Sequence, residues 1–191
     1  MYPIEKGKCP YCKHTLSPIP KRKTKCLYCG NTIYVRTLAF KRKQKYLITE
    51  EEYNKIEMQR KEQDRIARDK KWQQLNADAL KAMKKDDLQE LSQVYLEQAL
   101  ILYNEGKDFF SILKCSREEN LKYMLSMGVE KVQILAAKDS CANCKALNGK
   151  VFSIADAIKN SYLPCEKCTH GIKSEKGFCR CIYLPYFENQ K

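Results

Sequence analysis

Cys9-Pro-Tyr-Cys12 and Cys26-Leu-Tyr-Cys29, thirteen residues apart, constrain this chain more than any other feature. Two C-x-x-C turns of this kind bring four soft thiolates to one point, which suits a closed, structural zinc site. The surrounding segment has too few apolar residues to fold on burial alone, so the metal is expected to act as its staple. Gly30 follows the second turn, where the backbone needs a positive φ. A redox use of the pair would call for a βαβ context, and none is visible. His14 stands beside the first turn, but with four cysteines available it is expected at the surface rather than on the metal.

Over about residues 1–38 these residues resemble a zinc ribbon. A second cysteine group lies near the other end of the sequence. Cys141-Ala-Asn-Cys144 is followed after twenty residues by Cys165-Glu-Lys-Cys168, and after ten more by Cys179-Arg-Cys181. Six cysteines and His170 exceed one tetrahedral site. One reading gives a single zinc four of these thiolates: Cys141 and Cys144, one of Cys179 and Cys181, and a contribution from Cys165 and Cys168. The other places two metals on shared, bridging thiolates. The favoured expectation is one ion here, and thus two or more Zn²⁺ per chain.

Eleven cysteines would otherwise suggest a disulfide framework. The start of the sequence has no apolar signal-peptide core. The longest apolar stretch, around Ala99–Tyr103, is far short of the roughly 18 residues needed to span a membrane. A reducing, cytoplasmic location is therefore expected, where clustered cysteines serve as metal ligands.

Charge is unevenly placed. Residues 1–45 carry twelve Lys or Arg against the single acid Glu5, a balance of +11 within a total of +13. Four thiolates on one Zn²⁺ leave this region at about +9. Lys21, Arg22, Lys23, Lys25, Arg36, Lys41, Arg42 and Lys43 are interleaved with Tyr11, Tyr28, Tyr34, Phe40 and Tyr46. Cations neutralise phosphates and rings stack on unpaired bases, so these eight basic residues are the candidate nucleic-acid contacts. A solvated charged face is the plainer reading of the same run. No base-reading motif is present.

Three regions follow from patterning. Residues 1–48 form the ribbon, with Thr32–Arg36 and Lys45–Ile48 predicted as strands. Residues 49–128 are helical. Thr49 and Glu52 make a capping box, and no Pro or Gly interrupts the chain from Glu50 to about Lys85. Apolar residues are sparse from Glu57 to Lys71, so that stretch is expected to be solvated and to act as a spacer. Trp72, on the same helix, is expected to pack where the helix docks. A second helix runs from Leu88 to the cap at Gly106. A short helix is predicted to hold Phe109–Leu113, and a separate one to begin at a Ser116–Glu119 capping box and stop at Gly128. Cys115 is expected to be buried and inert. Residues 129–191 form the cysteine-rich module. There Val132–Ile134 should pair with Lys150–Phe152 across Leu147-Asn-Gly149, Ser153 should cap a short helix, and Cys181–Leu184 should close as a strand.

Asp139-Ser-Cys141-Ala-Asn-Cys144-Lys-Ala-Leu147-Asn-Gly149-Lys-Val-Phe152, then Leu163-Pro164 and Cys179-Arg-Cys181, resembles the C-terminal cysteine motif of phage head-morphogenesis (minor head) proteins. The likeness covers about 50 residues. This chain has Lys176-Gly177-Phe178 where His-Pro would precede the last pair, and Cys165 and Cys168 are additional. The resemblance implies a metal-bound module and a phage-related structural or assembly role.

No P-loop, dinucleotide glycine pattern, H-E-x-x-H or nucleophile elbow is present. Pro164-Cys165-Glu-Lys-Cys168 matches half of a deaminase signature, but no H-x-E or C-x-E precedes it. No catalytic residue is assigned. The expected architecture is α+β: a small N-terminal zinc ribbon, a helical middle region and a small mixed α/β zinc-bound C-terminal module. The expected function is nonenzymatic zinc binding, with nucleic-acid association through the ribbon, a protein partner for the C-terminal half, and no membrane. The alternatives are a phage-type assembly protein and a metal-dependent hydrolase acting on nucleic acid.

Overall fold

Two tight turns open the first unit. The computed structural model describes residues 7–37, 45–173 and 176–188. Five helices and two small antiparallel sheets make it a mixed α+β protein among those residues. It divides into two compact units, Met1–Ala67 and Arg68–Lys191.

In the first unit, β1 (Thr24–Lys25), β2 (Thr32–Thr37) and β3 (Lys45–Ile48) form a sheet in the order β1-β2-β3. Adjacent residues on a strand face opposite sides, and β2 uses both. Ile33 is buried with Cys9, Leu16 and Cys26. Tyr34, pointing the other way, stacks on Tyr53 with ring centroids 4.2 Å apart. Tyr53 belongs to α1 (Glu50–Lys85), whose predicted capping box forms in full. The Thr49 amide donates to Glu52 Oε2 at 2.9 Å, and the Glu52 amide donates to Thr49 Oγ1 at 3.1 Å. Residues 58–71 of α1 are exposed throughout, as their sparse apolar content requires.

The boundary between units falls inside α1. Beyond it, Leu75, Ala79 and Ala82 recur at helical spacing and pack with Leu91 and Val94 of α2 (Leu88–Asn104). Trp72 is half-buried on this part of the helix. Asp87 caps α2, accepting from the Glu90 amide at 2.9 Å.

One continuous helix, α3 (Phe110–Ser126), replaces the two predicted around Ser116. Ser116 is buried, and its hydroxyl donates to the Ser92 carbonyl rather than capping a new helix. Cys115, one position away, faces solvent instead of the core.

The remaining elements are β4 (Lys131–Leu135), α4 (Ala142–Lys145), β5 (Val151–Ser153), α5 (Ile154–Asn160) and β6 (Ile182–Tyr186). The second sheet has the order β5-β4-β6. Val132 pairs with Phe152 across the expected hairpin, and Ser153 caps α5 by accepting from the Asp156 amide at 3.2 Å. Val132, Ile134 and Tyr183 pack with Leu121 of α3, Ile154, Ala157 and Leu163, and this core also contains Cys144, Cys168, Cys179 and Cys181. Thus the helical middle and the C-terminal cysteines share one core. No helix among the described residues is long and apolar enough to cross a membrane.

Candidate metal centres

The two N-terminal turns are built alike. The Cys9 amide donates to the His14 carbonyl at 2.9 Å, and the Lys13 amide returns to the Cys9 carbonyl at 3.0 Å. At the second turn the Cys26 amide donates to the Asn31 carbonyl at 2.8 Å, and Gly30 donates to Cys26 at 2.9 Å. Lys13 and Gly30 occupy the same place, with φ of 64° and 71°. The Sγ atoms of Cys9, Cys12, Cys26 and Cys29 lie within 4.8 Å of one another, so the four can hold a metal ion. Cys9–Cys29 and Cys12–Cys26 are each separated by 3.8 Å, the sulfur spacing of a tetrahedron with bonds of about 2.3 Å. His14 remains outside this group, exposed and stacked on Tyr28 at 4.5 Å.

These thiols differ in readiness to ionise. Burial opposes charge at Cys26, but the Cys29 and Tyr28 amides outweigh it and hold this thiol at about 6. At Cys12 the His14 amide acts downward, yet burial and the neighbouring thiols push it up to about 12. A metal replaces such competing demands with one charge that all four sulfurs can share.

In the second unit five of the six expected cysteines converge. Cys141, Cys144 and Cys168 form one group with Sγ atoms within 4.8 Å of one another; Cys144, Cys179 and Cys181 form another. Cys144 is common to both and lies 3.9 Å from Cys179. Cys165 belongs to neither group, although the Cys168 amide donates to its carbonyl at 3.0 Å, and His170 is likewise outside.

Several elements deliver these sulfurs. Cys141 precedes α4 and Cys144 lies within it, one helical turn apart. The segment after Cys168 is fastened to α2 and α3. Tyr103 donates to the Gly171 carbonyl, Lys173 donates to Asn104 at 2.9 Å, and Phe178 packs on Tyr103 and Phe109. Gly177 lets the segment fold back on itself: its amide donates to the Cys168 carbonyl at 3.1 Å. A Cβ there would come within 2.7 Å of Cys168 and His170 backbone atoms. Asp139 and Arg180 form an ion pair that ties the residues before Cys141 to the loop between Cys179 and Cys181.

The local environment separates these thiols too. The Thr169 amide, 3.5 Å from Cys141 Sγ, holds that thiol at about 6. Burial pushes Cys144 far upward, Cys168 to about 11, and Cys181 upward as well. Arg117 of α3 lies beside Cys179, Cys181 and Tyr183, in a setting whose burial lowers the guanidinium pKa while those groups raise it. Its Nε is buried without a hydrogen-bond partner.

The expected nucleic-acid contacts separate into three sets. Lys21, Arg22 and Lys23 are exposed on the segment entering β1, and Lys25 is exposed within it. Arg36 is half-buried, paired with Glu57 and set 4.9 Å from the Tyr53 ring centroid, where it fastens β2 to α1. Lys41, Arg42 and Lys43 lie outside the described residues.

Lys13 and Arg117 were not singled out by the sequence, and Gly177 was noted only as a departure from the phage motif. Lys13 had a signal, since it follows Cys9 by the same interval that separates Gly30 from Cys26. Arg117 had none, because it acts on residues far along the chain, and the role of Gly177 depends on its segment folding back onto Cys168 and His170. No protein-family model matches this chain, and no curated protein or solved structure matches it.

Proposed function

We propose that this chain is a nonenzymatic zinc-binding protein whose N-terminal zinc ribbon contacts single-stranded nucleic acid and whose second unit binds a protein partner. All-sulfur donor sets favour zinc among the divalent ions available for a structural site. The carrying observation is a groove of about 630 Å³ on the first unit, lined by Lys21, Arg22, Lys23 and Lys25 beside Ile19, Leu27 and Tyr28. Among the described residues no acidic side chain lines it. Leu27 is 93% exposed and Tyr28 61%, so apolar and aromatic surface lies open beside four cations. Phosphates find charge there and unpaired bases find a stacking surface. Support for a protein partner comes from β6, where Ile182, Leu184 and Tyr186 alternate onto one exposed face.

The test is a titration of zinc-loaded protein against single- and double-stranded DNA and RNA over a salt series. Tight binding to single strands with a steep negative salt slope is expected. Each Lys→Ala change in the groove should reduce the slope by about 0.7. Tyr28→Ser should weaken binding by about 1–3 kcal/mol if the ring stacks on a base. Absence of binding at low salt would reject the nucleic-acid reading.

A further inference from the structure

One tetrahedral ion with Zn–S bonds of about 2.3 Å needs four sulfurs spaced by about 3.8 Å. The N-terminal cysteines meet that need as a set of four, all within 4.8 Å of one another. The C-terminal cysteines do not: among the described residues they form two sets of three that meet at Cys144. We infer that the C-terminal centre holds two zinc ions bridged by the Cys144 thiolate, one bound also by Cys141 and Cys168, the other by Cys179 and Cys181. This rests on the reading of these cysteines as zinc ligands and adds the number of ions and the shared ligand.

Three observations carry it. The first is the arrangement itself, with Cys144 as the single vertex common to both triads. The second is burial. Cys144 is 1% exposed, with Cys179 Sγ 3.9 Å away, as suits a sulfur that directs two of its lone pairs at metal. Cys141, half-buried and accepting from the Thr169 amide at 3.5 Å, has the surroundings of a terminal ligand. The third is charge. Five thiolates carry −3 with one Zn²⁺ but only −1 with two. Arg117 supplies one compensating positive charge at the Cys179–Cys181 side, and its unpartnered Nε is accounted for by a buried anionic centre. Such a charge is tolerated inside a core when an opposite charge sits beside it. Each ion keeps a fourth tetrahedral position, and Cys165 stands in the same turn as Cys168.

The first experiment needs no variant. Full-length protein is loaded with zinc under reducing conditions and its bound metal counted by native mass spectrometry and elemental analysis. Three ions per chain are expected, one at the N-terminal site and two at the C-terminal centre. The cobalt(II) form should show a spin signal that grows with the first equivalents and then falls as bridged pairs form. Two ions without spin coupling would overturn the bridged centre while leaving two zinc sites intact. One ion would overturn the zinc reading of the C-terminal centre, and none would overturn it at both ends. Three ions without coupling would also overturn the shared Cys144 ligand. Arg117→Met should speed transfer of zinc from the C-terminal centre to a chelator by about tenfold, with Arg117→Lys restoring much of the retention. An unchanged rate in Arg117→Met would remove Arg117 from the charge balance.

Discussion

Ser92 and Ser116 exchange hydrogen bonds between α2 and α3, each hydroxyl donating to the other's backbone carbonyl, at 2.9 and 2.8 Å. Both residues are buried, so the two helices approach closely at small side chains whose polar atoms are satisfied. Ser116→Ala should cost about 0.5–1.5 kcal/mol, one hydrogen bond. Ser116→Leu should cost about 1–3 kcal/mol by overpacking the same site. Denaturant unfolding of the zinc-loaded chain, followed by helical circular dichroism, would rank them; a harmless leucine would show that the helices do not meet there.

Gly177 separates the backbone of residues 168–170 from that of Phe178 with no room for a methyl group. Gly177→Ala should loosen the loop that sets Cys168 near Cys144. The expected result is faster zinc loss to a chromophoric chelator from the second unit, with the N-terminal site unaffected. Equal rates in wild type and variant would mean that the loop adapts without moving its sulfur.

Lys13 pays a conformational penalty that Gly30 avoids at the matching position, since both have positive φ. A left-handed conformation costs an ordinary L-residue roughly 1–2 kcal/mol, against about 0.5–1 kcal/mol of extra chain entropy lost by glycine. Lys13→Gly should therefore be neutral to stabilising by about 1 kcal/mol, while Gly30→Ala should destabilise by a similar amount. Thermal melts of the zinc-loaded protein would show the opposite signs, and matching losses in both variants would contradict this account.

Metal loading should release protons, and the sources are specific. Burial raises Cys144, Cys168 and Cys181 above the ordinary thiol value of 9.0, so they enter the reaction protonated at neutral pH. The Thr169 amide holds Cys141 at about 6, so it is already ionised. Calorimetry in buffers of different ionisation enthalpy should show at least three protons leaving this centre at pH 7, and weaker zinc binding as pH falls. In the metal-free folded chain the sign reverses. A raised thiol pKa contributes stability that is present below about pH 9 and is lost as pH rises through the folded-state value. Metal-free melts that improved at high pH would refute the assigned directions.

The limits of the helices were open to sequence reading wherever the deciding groups were neighbours in the chain. Thr49 and Glu52 start α1, and Ser153 starts α5, through contacts spanning only a few residues. Ser116 and Glu119 offered the same local pattern, but a capping box cannot reveal whether its hydroxyl faces water or another helix. Once Ser116 turns inward, the roughly 100° between successive helical residues carries Cys115 outward. Cysteine spacing likewise exposed the N-terminal set in full. At the C-terminal centre, selection among six thiols depends on the fold-back at Gly177 and the anchoring at Tyr103, which join residues distant in sequence. The cations divided for a related reason. Arg36 has its partner Glu57 on α1, whereas Lys21 to Lys25 remain exposed beside the groove.

Leu121 of α3 shares its core with Cys144, Cys168, Cys179 and Cys181. During synthesis, α2 and α3 emerge well before the Cys179–Cys181 pair that completes this core. For that interval the ribosome presents helices with an uncovered apolar face and three or four waiting thiols. Burial of this shared core is thus completed only late in translation. On the proposed zinc reading, zinc scarcity would reduce the amount of this protein through turnover of newly made chains rather than by stripping mature ones.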